Sequence, residues 1–365
     1  MTHTIGTSGR PLGRSLRSNR GFCIPFACAA ALLASACDSS GPESDGAATS
    51  AANSVTSASI KRLSPALDAV LAPDAVIEKV AEGFEFVEGP VWAFGEIWFS
   101  DLVGNKLFAV GSDGATRLLL ENSGGATDAP HSEYPGSNGA VVDTDGSVLM
   151  AQHAGRRIVR ITQDMAIIPV IERDAEGRRL NSPNDLVFAA DGALWFTDPA
   201  FGLAGFDESP DKEIPYNGVY RWKDGQLTAV IVDLPNPNGI AFSPDGRLLY
   251  VSNSGPDMFV NVYDVAADGS VGAGRRLISY PGPRPGDVPD GLKVDSLGNI
   301  WTSGPGGIRI INPQGEVLGQ IRTPDTAQAN IAWGGEDRRT AYITATGNVY
   351  RLRLAAPGLG PLNAD

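Results

Sequence analysis

Short apolar runs separated by turn-forming clusters fill most of this chain, and no stretch sustains the roughly 3.6-residue apolar period of a helix. One unit reads Leu186-Val187-Phe188, then Ala190-Asp191-Gly192, then Ala193-Leu194-Trp195-Phe196-Thr197. That order predicts a short strand, an Asp-Gly hairpin turn and a returning strand. Similar turns recur at Asp145-Gly146, Asp224-Gly225 and Asp245-Gly246, with relatives at Gly298-Asn299 and Gln314-Gly315. The pattern predicts an almost all-β chain.

The unit is also a repeat. Six stretches share one template: Glu88 to Asp101, Ser137 to Gln152, Pro183 to Asp198, Pro237 to Ser252, Pro289 to Gly304 and Gln328 to Thr344. One column of the template reads Glu88, Asn138, Asn184, Asn238, Asp290, Ala329, at successive spacings of 50, 46, 54, 52 and 39 residues. Such spacings suit propeller blades of four short strands. The expectation is a six-bladed β-propeller over residues 72–365, its repeats running from about Ala72 to Leu354.

The column residue is expected just before the first strand of each blade, where the entry loops meet at one mouth of the central channel. Gly follows it in four of the six units, which lets neighbouring backbones approach closely. Pro183, Pro237 and Pro289 precede it and stiffen the approach. Taken singly, each Asn-Gly or Asp-Gly pair is an ordinary turn former. Five oxygen-bearing side chains in one register, with Glu88 where no turn needs Glu, point instead to a ring of hard oxygen ligands. Glu88 and Asp290 supply two charges, and Asn184 and Asn238 supply carbonyl oxygens. Oxygen-only ligation favours Ca²⁺, with Mg²⁺, Mn²⁺ or Zn²⁺ as substitutes. Ca²⁺ takes about six to eight oxygens, so four protein ligands leave room for water and substrate. Ala329 leaves the sixth position open, where substrate is expected to enter.

Composition narrows the setting. Arg10, Arg14, Arg17 and Arg20 precede the apolar run Phe22 to Ala36, which ends in Ala34-Ser35-Ala36-Cys37. Residues 1–36 read as a secretory signal, too short for an ordinary spanning helix. Cys37 after small residues resembles a lipobox, so an exported bacterial protein, periplasmic or anchored to the membrane through an acylated Cys37, is expected. Residues 37–71, rich in Ser, Ala and Gly toward their start, read as a flexible tether. All three cysteines lie in or beside the signal, so the folded domain has neither disulfide nor thiolate chemistry. Without residues 1–36 the chain carries 25 basic and 42 acidic side chains, a net charge of −17, which argues against a nucleic-acid partner. A monomer acting on a small molecule is expected.

A second polar set follows the returning strands: Asp101, Gln152 with His153, Asp198, and Ser252 with Asn253. These are either substrate contacts or ordinary polar strand ends. Asp198 and His153 are the substrate-contact candidates, and His131 and His153 are the only histidines outside the leader. No Gly-x-Ser-x-Gly elbow accompanies them.

Asn181-Ser182-Pro183-Asn184-Asp185 leading into Phe196-Thr197-Asp198-Pro199, with Glu88-Gly89-Pro90-Val91, Pro237-Asn238-Gly239 and Pro289-Asp290-Gly291, resembles the gluconolactonase and regucalcin (senescence marker protein) family over residues 75–354. The resemblance implies a six-bladed propeller with a catalytic divalent cation, usually Ca²⁺, held by Glu88, Asn184, Asn238 and Asp290. It implies hydrolysis of a sugar lactone, with Asp290 as general base and acid. Asn184 and Asn138 are each open to a metal-binding or a substrate-binding role. Two rivals remain: hydrolysis of other esters or phosphotriesters, since diisopropyl fluorophosphatase resembles the family in fold and metal site, and a non-catalytic, metal-stabilised sugar-binding propeller.

Overall fold

A computed structural model of the chain describes residues 57–126, 132–282 and 287–362. All of these belong to one compact unit, Pro42–Asp365. The signal, Cys37, the first part of the tether and His131 lie outside the described residues.

Strands pair into six antiparallel sheets, each with a four-stranded up-and-down core. Their inner strands are Val87–Ala93, Ser137–Val142, Leu186–Phe188, Pro237–Phe242, Leu292–Val294 and Gln328–Gly334. Each inner strand touches the next, and the last touches the first, which closes a ring. The protein is a six-bladed β-propeller. Among the described residues the only helical pieces are two 3-10 turns, Pro65–Ala69 and Phe206–Glu208.

Period-two alternation explains how the blades pack. In the returning strand Leu194–Asp198, Leu194 and Phe196 face blade 2 and join its Leu149 and Ile158, together with Tyr220 of their own blade. Trp195 faces the other way and joins Ile240, Phe242 and Leu249 of blade 4. Both faces of the sheet are therefore buried, which is why these strands read as nearly continuous apolar runs. Six such clusters occupy the six blade boundaries. The hairpins follow the sequence reading: Gly192 takes the left-handed φ of 81° that a Cβ would strain, and Asp191 accepts the Ala193 amide.

The first boundary of the folded domain differs from expectation. Ser59–Arg62 is a strand that pairs with Val317–Arg322 as a fifth strand of blade 5. The 3-10 turn after it buries Leu67, Val70 and Leu71 in the cluster between blades 5 and 6. Residues 59–71 are thus part of the domain, not of a tether. Their few apolar side chains are spaced too irregularly to announce a strand or helix. Glu78–Glu82 supplies the outer strand of blade 6, whose other three strands come from the C-terminal end of the chain.

Candidate functional site

Four of the column residues sit inside their inner strands rather than just before them: Glu88, Asn138, Asn238 and Ala329. At that level the pairing slips, between Glu88 and Val91, Ser137 and Ala140, Pro237 and Ile240, and Gln328 and Asn330. A bulge at the same height in four blades bends the strand ends and re-aims their side chains. After three of the column positions the following amide meets the next blade: Gly139 donates to Asn184 O (2.8 Å), Gly239 to Asp290 O (3.1 Å) and Gly291 to Ala329 O (2.8 Å). The glycines are there for that approach. A Cβ on Gly139 would lie 2.5 Å from Asn184 O, and one on Gly239 2.5 Å from Asp290 O. Only Gly89 of these adopts a positive φ (55°), and a Cβ there would overlap Asn138 O.

Hydroxyls at the returning strands lock the column, two of them across a blade boundary. Thr197 Oγ1 donates to Asn238 O (2.7 Å), Ser252 Oγ donates to Asp290 O (2.6 Å), and Ser303 Oγ accepts the Asp290 amide (2.8 Å). Asn238 and Asp290 are therefore each fixed by the neighbouring blade as well as by their own.

The side chains are arranged unequally. Glu88 is buried; its Oε2 accepts from Gly89 N (2.6 Å) and Asn330 Nδ2 (3.1 Å), while Oε1 has no partner. Asn238 donates Nδ2 to Ser254 Oγ (3.0 Å) and its Oδ1 has no partner. Asn138 donates Nδ2 to His153 Nε2 (3.2 Å), again leaving Oδ1 bare. Asp290 is partly exposed, and Asn184 is buried with its backbone amide on Thr197 O (2.8 Å). Burial raises the Glu88 carboxyl to about 7. Burial and, next, the charge of Glu88 hold the Asp290 carboxyl well above the usual carboxylate range, with the Asn238 amide opposing them. Two carboxyls pressed together without a cation behave this way.

Three buried oxygens of the column have no hydrogen-bond donor, Glu88 Oε1, Asn138 Oδ1 and Asn238 Oδ1, and such oxygens fit a hard cation better than a dry interior. Among the described residues no three His, Cys, Asp or Glu side chains form a metal-binding group. The donor set is two carboxylates with amide oxygens, which suits Ca²⁺ or Mg²⁺ and not a nitrogen or sulfur site.

The second polar set turns out mainly to hold loops. Asp101 accepts the amides of Glu85 (3.2 Å), Phe86 (3.1 Å) and Gly104 (3.1 Å), and Asn253 Oδ1 accepts that of Asn236 (2.8 Å). Gln152 joins Ser123 O to Arg157 Nε. Asp198 does the same for the loop that carries Asn184: Oδ2 accepts Asn181 N (2.8 Å) while Oδ1 has no partner, and burial raises the carboxyl to about 7. Fully buried, neither Asp198 nor His153 presents an atom to solvent. The open sixth position is a correction as well. Ala329 is completely buried, and the amide of the following Asn330 fills the gap by reaching Glu88.

Sequence reasoning missed one layer. Lys293 Nζ donates to Asp185 Oδ2 (3.0 Å) and Asn330 Oδ1 (3.4 Å), so Asp185, Lys293, Asn330 and Glu88 form a chain of contacts across the ring. Its signal was present: the position after the column is Gly in four blades and breaks to Asp185 and Asn330 in the other two, while Lys293 interrupts an apolar strand.

A closed six-bladed ring with carboxyl and amide side chains repeated at one level of its blades defines the class, a six-bladed propeller. The chain belongs to the SMP-30/gluconolactonase family, since residues 86–347 match the region described as SMP-30/Gluconolactonase/LRE-like. It is 36% identical to the gluconolactonase of Zymomonas mobilis over 356 residues, covering 94% of this chain and 99% of that one. It is 26% identical over 214 residues to the diisopropyl-fluorophosphatase of Loligo vulgaris, covering 56% of this chain and 67% of that protein. A solved gluconolactonase from Xanthomonas campestris matches with a TM-score of 0.70 at 30% identity, covering 82% of this chain and 96% of that chain.

Proposed function

We propose that this chain is a divalent-cation-dependent hydrolase that opens a sugar lactone. The observation that carries the reading is the set of unpartnered buried oxygens on Glu88, Asn138 and Asn238, in the same column as Asp290. The likeness to the Zymomonas gluconolactonase over nearly the whole of both chains supplies the substrate class. Glu88, Asn238, Asp290 and Asn184 would hold the cation, for which Ca²⁺ is the first choice. When bound, it would supply Lewis acidity to polarise the lactone carbonyl and acidify a water.

The chain's own residues do the rest. Asp290, the most accessible of the buried set, takes the proton of the attacking water as the new C–O bond forms. It returns that proton to the ring oxygen as the old C–O bond breaks, so a hydroxy acid leaves with nothing left over. Ser252 and Ser303 keep the Asp290 backbone in place during both transfers. Asn330 holds Glu88 with Oε1 facing away from it.

Asp290→Ala is expected to lower lactone turnover by at least about a hundredfold, the scale of a lost general base, with circular dichroism unchanged. Near-normal turnover in a folded variant would sink the assignment. The likeness to diisopropyl-fluorophosphatase favours one second reading, phosphotriester hydrolysis at the same site. Sugar lactones, homoserine lactones and aryl phosphotriesters, each assayed with and without chelator, separate the two. Binding of a sugar without metal-dependent turnover of any ester would indicate a binding propeller. Export and acylation at Cys37 belong to the same proposal, and labelled palmitate incorporation that survives Cys37→Ala would refute the anchor.

A further inference from the structure

Two asparagines of the ring are held by the same device. Asn238 donates Nδ2 to Ser254 Oγ, and Ser254 donates its own proton to Pro289 O. Asn138 donates Nδ2 to His153 Nε2, and His153 Nδ1 lies 3.2 Å from Tyr134 O. A carbonyl oxygen only accepts, so Nδ1 carries the ring proton and Nε2 carries the lone pair. In both cases the partner has no proton left to give, so the amide nitrogen must face it and the amide oxygen must face away. Both freed oxygens are buried without a donor, as is Glu88 Oε1. Asn184 lacks this signature, although the sequence ranks it above Asn138 as a ligand.

His153 is built to stay as it is. It is completely buried, and Gly202 packs so tightly on it that a Cβ there would lie 2.6 Å from His153 Cβ. The Asn138 amide nitrogen only donates, so the Nε2 it faces carries no proton and the ring is neutral. Both nitrogens are occupied, which leaves none for a substrate.

We propose that Asn138 is an oxygen ligand of the cation site and that His153 is the positioning residue that makes it one. This rests on the metal-dependent reading given above, and it replaces the substrate contacts expected of both residues. The ligand class is a hard divalent cation of Ca²⁺ type, bound by Oδ1 with Glu88 and Asn238.

Calorimetric Ca²⁺ titration of the full chain without substrate tests it. His153→Phe, which removes the acceptor, is expected to weaken Ca²⁺ binding by about ten- to a hundredfold, the usual effect of losing a group that orients a ligand. His153→Gln restores an acceptor and should recover most of that loss. Asn138→Leu should weaken binding at least as much as His153→Phe, and adding His153→Phe to it should cost nothing more, because the histidine acts through the asparagine. Melting curves of the cation-free variants report on the fold separately. Wild-type Ca²⁺ affinity in His153→Phe, or losses that add in the double variant, overturns the inference while the metal reading stands. If His153→Phe does not fold, unchanged affinity in Asn138→Leu overturns it instead. An unaltered chain that binds no divalent cation overturns the metal reading and this inference together.

Discussion

Asp198 keeps a fully buried carboxyl with one oxygen committed to Asn181 N and the other bare. Its pKa, near 7 in the fold against an ordinary 3.8, means the folded protein binds more protons than the unfolded chain between those values. Stability from this group is therefore full below about pH 4 and lost as pH rises through 7, by at most on the order of 4 kcal/mol. Asp198→Asn keeps an acceptor for the loop and removes the titration. Urea midpoints of the two proteins are expected to diverge in favour of the variant from pH 5 to pH 8, and parallel pH curves would show that Asp198 stays ionised. Lys293 offers the opposite case. Half-buried beside Asp185 and Asn330, it neutralises a carboxylate that has little access to water. Lys293→Met leaves that charge uncompensated and should cost about 3 kcal/mol or more, of which Asp185→Asn recovers a substantial part. Equal losses in the single and double variants would mean the ammonium does not serve Asp185.

At the level of strands, the bulges and the glycines act together. A bulge gives four of the six inner strands an extra residue at the channel end, and glycine lets the next blade come within hydrogen-bonding distance. Gly139→Ala would place a Cβ 2.5 Å from Asn184 O and 2.7 Å from Asp185 Cα, both backbone atoms that cannot swing aside. A loss of about 3 kcal/mol or more is expected, together with weaker cation binding, since the obstruction lies between two column residues. Gly192→Ala in the exposed hairpin strains only a local φ and should cost about 1 kcal/mol. Comparable losses in the two variants would show that close approach is not what Gly139 provides. The strands, turns and repeat were legible because period-two alternation and Asp-Gly pairs are local signals. The bulges were not, because an extra residue leaves the apolar pattern of the following strand unchanged. The column itself was legible residue by residue, whereas the orientation of Asn138 and Asn238 depends on His153 and Ser254, whose partners are set by tertiary contact. The Lys293 layer joins blades 3, 5, 6 and 1, and no local pattern announces a contact between Asn330 and Glu88.

Closure decides whether the whole ring can hold its axis steady. Blade 6 is completed by Glu78–Glu82 from the N-terminal side, so the two ends of the domain are joined within one sheet. Just before it, Ser59–Arg62 extends blade 5 and the turn at Pro65–Ala69 lays Leu67, Val70 and Leu71 over Ile321, Ile343 and Leu352. Ala355 N donates to Val70 O, which ties this cover to the C-terminal segment (2.8 Å). The sequence places the start of the domain at Ala72, and a chain beginning there would lose this cover while keeping the closing strand. Burial of those three side chains contributes about 1.5–3 kcal/mol each before the entropy of ordering the segment is subtracted. A net deficit of a few kcal/mol follows, which lowers the melting temperature by roughly 5–10 °C in a domain of this size. A chain beginning at Ser57 should melt like the full chain. A chain beginning after Glu82 loses the outer strand of blade 6 and leaves Asn348–Arg353 as an unpaired edge, so it should fail to fold or aggregate. Equal melting temperatures for the chains starting at Ser57 and Ala72 would show that the added strand and turn are ornament on blade 5. A deficit confined to the shorter chain, with Ca²⁺ affinity unchanged, would place the cover outside the site and make closure a matter of stability alone.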